Sequence, residues 1–135
     1  MITLVDTNVL LDIFGADPKF GQVSGNSLRR CLKEGAILAC EIVWVETAVA
    51  FSNSHSFKDA MNTLSVEFSS ISEDTAYLAA TAWKQYRKDG GKRERVVADF
   101  LIGAHAMTQG DRLLTRDRGF YRKYFKNLNI LDPTL

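Results

Sequence analysis

Short apolar runs that stop abruptly alternate along the chain with longer stretches whose apolar residues recur at helical spacing. Residues 2–5 (Ile-Thr-Leu-Val) form a β-branched run of the kind that makes a buried strand, and the run ends at Asp6. Asp6-Thr7-Asn8 then offers helix N-cap chemistry, and Val9, Leu10 and Leu11 open a helical stripe. A carboxylate is therefore expected where a strand hands over to a helix, the end at which open α/β sheets bind ligands. The simpler reading is that Asp6 only caps the helix.

The pattern continues in the same alternation. Residues 15–18 read as a turn, with Asp17 as a cap and Pro18 as the first residue of a helix that is firm over 27–33 and ends at Gly35. A second strand is predicted over 36–40. Residues 42–51 are almost wholly apolar and too long for a typical strand, so they are assigned to a helix with Glu46 inside it. A polar loop over 52–56 leads to a short amphipathic helix over 57–64 and a third strand over 66–71. Residues 72–88 form a long helix with an acidic first turn, a basic last turn and an expected apolar face of Ala76, Ala79, Ala80 and Trp83. Residues 97–107 are apolar nearly all round, as in a core helix, and carry one acid, Asp99. A fourth strand (112–115), a basic aromatic helix and a last strand (129–131) complete the chain. This order predicts a single domain spanning 1–135: a three-layer α/β/α sandwich around a mainly parallel five-stranded sheet.

Composition adds mostly exclusions. A 135-residue chain, 46% hydrophobic and 24% charged, supports one core. A net charge of +1 gives no global field that recruits nucleic acid, so any such binding must come from local patches. Cys31 and Cys40 do not make a disulfide framework and are expected as buried thiols. With no basic leader and no apolar run of membrane-spanning length, the expected location is the cytoplasm.

Asp6, Glu46, Asp99 and Asp117 each end or interrupt a segment that otherwise reads as core. A buried, isolated carboxylate is too costly to persist without a partner. Either each acid has its own cap or ion pair, or the four converge on a cation. Arg116 and Arg118 flank Asp117, and Arg93 and Arg95 precede Asp99, whereas Asp6 and Glu46 have no basic residue nearby in sequence. Two like charges ~4 Å apart repel by ~4 kcal/mol at an effective dielectric near 20, so a converging cluster needs a divalent ion or a proton. Oxygen-only ligands select Mg2+, Mn2+ or Ca2+ rather than zinc.

The segments Leu4-Val5-Asp6-Thr7-Asn8-Val9-Leu10-Leu11-Asp12, Val97-Ala98-Asp99-Phe100-Leu101 and Leu113-Leu114-Thr115-Arg116-Asp117, with the Glu46 helix between them, resemble the PIN domain. The resemblance runs over essentially the whole chain and is closest to the VapC-type toxins of toxin–antitoxin pairs. It implies a metal-dependent endoribonuclease using Mg2+ or Mn2+, a homodimer, and a cognate antitoxin partner. It also implies that Asp6, Glu46, Asp99 and Asp117 match the family's acids, Thr115 the hydroxyl beside the last acid, and Asn8 the polar residue after the first. Thr47 stands where the family usually has leucine, Ala98 where it often has proline, and Gly119 where it often has a further acid.

On this reading Asp6 and Asp99 bind metal directly, Asp117 directly or through water, and Glu46 either ligates or acts as general base. Thr115 and Asn8 support them. Arg93, Arg95, Arg116 and Arg118 are expected on substrate phosphates, while Lys84, Arg87 and Lys88 are assigned to a solvated helix end. His55 and His105 are assigned structural roles. The apolar excess over 42–51, with the helix after it, is expected to serve a dimer interface or an antitoxin groove. A haloacid-dehalogenase-like phosphatase would need a second acid where Asn8 stands. The remaining alternative is a catalytically inactive PIN-like RNA-binding or scaffold module.

Overall fold

A computed structural model describes residues 1–92 and 97–135. In chain order the elements are β1 (Ile2–Val5), α1 (Thr7–Phe14), α2 (Gly21–Glu34), β2 (Ala36–Ala39), α3 (Glu41–Ala48), α4 (Ser54–Thr63), β3 (Val66–Phe68), α5 (Glu73–Lys88), α6 (Val97–Gln109), β4 (Arg112–Leu114), α7 (Arg118–Tyr124) and β5 (Ile130–Leu131). The five strands are ordered β3-β2-β1-β4-β5, and every pairing is parallel, not merely most of them.

The central strand β1 pairs Leu4 with Leu38 on one side and with Leu113 on the other. Right-handed crossovers place the helices between β1, β2 and β3 on one face and those leading to β4 and β5 on the other. Side-chain packing agrees. Phe14 (α1) meets Phe51, and Trp44 (α3) meets Phe57 (α4), each edge to face. On the opposite face Phe100 (α6) packs against Tyr86 (α5) and against Phe120 and Tyr124 (α7). The direction in which strands are added across the sheet thus reverses between β1 and β4, and at such a switch point a crevice opens at the carboxyl ends of the strands.

Several boundaries differ from expectation. Asp17 does not cap α2; its carboxylate accepts the Lys19 and Phe20 amides and closes the preceding turn, and α2 starts at Gly21. The third strand is only three residues long, and the Ser69 amide makes its last bond to β2, to the Ala39 carbonyl at 2.9 Å. The polar loop over 52–56 is partly helical, since the Asn53 side chain caps α4 through the Ser56 amide at 2.8 Å. On α5 the buried stripe is Thr75, Ala79, Ala82 and Tyr86, while Ala76 and Ala80 are exposed. Thr75 tolerates burial because its hydroxyl bonds Ser72 and Gln109, a pairing that apolar spacing alone cannot reveal. Gly103 on α6 lets α7 seat closely: a Cβ there would lie 2.4 Å from the Phe125 ring.

Cys31 and Cys40 are buried free thiols. Among the described residues, no helix is long and apolar enough to cross a membrane.

Candidate active site

Asp6 follows β1 directly and keeps the sheet's register for one more step, its amide donating to the Leu114 carbonyl at 3.0 Å. Its extended backbone makes it the N-cap of α1, and Oδ1 accepts the Thr7 amide at 2.8 Å. The capping reading is therefore correct, but it accounts for one oxygen only. Oδ2 accepts the Thr115 hydroxyl at 2.7 Å, the Tyr121 hydroxyl at 3.1 Å and the Asn8 amide at 3.3 Å. These partners come from α1, the end of β4 and α7, so the carboxylate joins the two halves of the fold at the crevice.

Among the described residues the four donors to Asp6 are neutral, and its side chain is buried. Burial pushes its pKa up to about 6, with the nearby Asp99 charge adding to the rise and the hydrogen bonds opposing it. Tyr121, wholly buried, titrates well above the usual phenol range through burial and the negative charges of Asp6, Asp99 and Asp117. Three of the four predicted acids are thus gathered around one phenol ring.

The fourth approaches from the other side. Thr7, next to Asp6, donates its hydroxyl to Glu46 Oε1 at 2.8 Å. Glu46 itself is exposed, contrary to the expectation that it interrupts buried chain. The reason is that α3 packs inward through Val43, Thr47 and Trp44 and leaves Val45 (63% exposed), and Val49 at its C-cap (80%), in solvent. Asp99 lies in the first turn of α6 and Asp117 at the N-cap of α7, both half-buried. The Thr115 hydroxyl also accepts the Asp117 amide at 3.0 Å, which fixes the turn between Asp6 and Asp117.

The expected basic residues fare differently. Arg116 is committed to Asp12: Nε donates to Oδ2 at 2.7 Å and Nη2 to Oδ1 at 3.0 Å. Arg118 lies 3.7 Å from Asp132 and is partly exposed. Arg93 and Arg95 lie outside the described residues. His105 is buried beside the Ser69 hydroxyl at 3.1 Å, in keeping with a structural role.

Two residues at the site were not assigned to the acidic cluster from sequence. Asp12 stood in the first motif without a role, and Tyr121 was one of several aromatics on a basic helix; only contacts across the fold separate them from their neighbours. Chemically, the donor set suits a hard divalent ion: oxygen ligands only, built on a buried carboxylate whose neighbours leave its charge uncompensated. The described His, Cys, Asp and Glu side chains do not, as they stand, draw three together into a closed cage.

The fold is of the parallel α/β/α sandwich class, with acidic residues at its topological switch point. The chain belongs to the PIN domain family, whose model matches residues 3–126, and PIN domains are nucleases. Comparison with curated proteins gives no match. Among solved structures, the fold is similar to a chain of VapBC2 from Rickettsia felis bound to a DNA fragment from the promoter (TM-score 0.77, 18% identity, 98% of each chain covered). It is also similar to a chain of a toxin–antitoxin complex from Klebsiella pneumoniae (0.66, 21%, 97% of each chain). A third is VapC20 of Mycobacterium tuberculosis, described as a toxin cleaving the sarcin–ricin loop (0.54, 17%, 82% of this chain and 86% of that one).

Proposed function

We propose that this chain is a Mg2+- or Mn2+-dependent endoribonuclease, the toxin of a toxin–antitoxin pair. The observation that carries the proposal is Asp6: a buried carboxylate held by four neutral donors, with its pKa raised by burial and by Asp99, at the crevice where β1 and β4 end. Asp6, Asp99 and Asp117 would hold the ion, with Glu46 as a further ligand or as the base that orients the attacking water. The ion, when bound, supplies charge stabilisation to the phosphodiester being cleaved. Thr7 orients Glu46, while Thr115 and Asn8 hold Asp6.

Substrate phosphates are assigned to Arg118, beside Asp117, and to Arg93 and Arg95, which precede Asp99. The similarity to structures described as toxin–antitoxin and VapBC complexes supports a cognate antitoxin. The apolar surface left by Val45 on α3 and Val49 at its C-cap, with Leu11 on α1, offers area for that partner or for a second copy of the chain.

Asp6→Asn and Asp99→Asn should each abolish Mg2+- or Mn2+-dependent cleavage of RNA while leaving the protein folded. A chelator should abolish wild-type cleavage. Unaltered cleavage in both variants would remove the site assignment, and RNA binding without cleavage at any metal concentration would favour an inactive module.

A further inference from the structure

We infer that Arg116 is a positioning residue and not a substrate contact: its ion pair with Asp12 clamps the turn after β4 against α1, so that Thr115 and Asp117 stand in register with Asp6. The inference rests on the nuclease reading of the crevice, but its geometry does not. Asn8 and Asp12 lie one turn apart on the same face of α1. That face holds Arg116 twice. The Arg116 amide donates to Asn8 Oδ1 at 3.2 Å, and its guanidinium grips the Asp12 carboxylate with two bonds.

Both ends of the clamp are themselves fixed. Asp12 is buried, and its Oδ2 also accepts the Ser24 hydroxyl of α2 at 2.8 Å. The guanidinium lies over the Phe20 ring, 3.9 Å from its centre, and only about a quarter of the Arg116 side chain is exposed. The Asp12 carboxylate takes two of the five N–H donors of Arg116 and pairs its charge, and the Phe20 ring holds its plane, so the guanidinium is anchored inside the fold. The consequence reaches the crevice through the backbone. The two residues flanking Arg116 are Thr115, which donates to Asp6, and Asp117, whose amide donates back to Thr115. Asn8, which holds the Arg116 amide, also donates to Asp6. Loss of the clamp frees the one turn that carries both partners.

The geometry asks for a planar fork. Lysine keeps the charge but cannot make the paired bonds or the ring contact. Removing one partner strands a buried charge, so folding must be controlled by a neutral pair. The test compares Arg116→Lys and the double variant Asp12→Asn/Arg116→Gln with wild type in steady-state RNA cleavage with Mn2+. Amide hydrogen exchange of the metal-free proteins is measured alongside. Positioning predicts a fall in kcat on the order of tenfold to a hundredfold with KM within about twofold, in both variants. It also predicts faster exchange of the Arg116 and Asp117 amides, with core amides unchanged. A raised KM with kcat retained and a shallower salt dependence would make Arg116 a phosphate contact and overturn the inference. Unchanged exchange at Arg116 and Asp117 would overturn it as well. If wild type cleaves no RNA, the nuclease reading fails, and the exchange measurement alone decides the clamp.

Discussion

The Tyr121 hydroxyl donates to Asp6 Oδ2 at 3.1 Å, joining the first acid of the chain to its last helix across 115 positions of sequence. The bond favours the ionised carboxylate, so its loss should raise the Asp6 pKa beyond the value that burial already imposes. Tyr121→Phe should therefore shift the Asp6 carboxyl titration upward by NMR. At neutral pH it should cost about 1.5–3 kcal/mol of stability, the ordinary worth of a hydrogen bond to a charged group. An unshifted titration would mean that the phenol does not hold Asp6.

Asp6 makes stability depend on pH in the sense opposite to most carboxylates. Its folded pKa, about 6, lies above the unfolded value of 3.8, so the folded state retains the proton to higher pH. The associated stability is fully present below the unfolded value and is lost as pH rises through about 6. The loss is on the order of 2–3 kcal/mol. Denaturant melts of wild type and Asp6→Asn should show this as a difference, with the variant gaining on wild type between pH 4 and pH 7. Parallel pH profiles would contradict the burial of an uncompensated charge.

Divalent cations should act on the same carboxylate. Mg2+ or Mn2+ at millimolar concentration should raise the melting temperature of wild type at pH 7.5, because an ion that binds only the folded state adds RT ln(1 + [M]/Kd). Asp6→Asn and Asp99→Asn should lose most of that increment. Differential scanning fluorimetry across a metal titration measures it without reference to RNA, and an equal increment in all three proteins would place the ion elsewhere.

Thr47 is buried in α3 and, among the described residues, its hydroxyl is left without a hydrogen-bond partner. A buried polar group in that condition costs about 1–3 kcal/mol. Thr47→Val keeps the shape and removes the hydroxyl, so it should stabilise the protein by about 1 kcal/mol in denaturant melts. Since Thr47 is next to Glu46 but faces the core, cleavage should be unchanged.

Much of this fold was legible from where apolar runs stop. Ile2 to Val5 ending at Asp6, and residues 112–115 ending ahead of Asp117, mark two strand ends on one rim from sequence, and the structure makes those two strands neighbours. The same reasoning misplaced the buried face of α5, where Thr75 and Tyr86 carry the stripe with help from hydrogen bonds and ring contacts made elsewhere in the fold. It overstated the burial of Glu46, because even an apolar helix turns one side to solvent, and Glu46 shares that side with Val45. Arg116 was the hardest to read. Its neighbour in sequence is Asp117, yet its guanidinium is committed to Asp12, and separation along the chain gives no hint of that choice.

The strand order has a consequence for a chain emerging from the ribosome. Asp6 is made more than a hundred residues ahead of the end of β4, the strand that lies beside β1 in the finished sheet. A nascent polypeptide therefore exposes its first acid long before Thr115 and Tyr121 exist to hold it. The crevice is assembled last, and a truncated translation product carries the acid without the pocket.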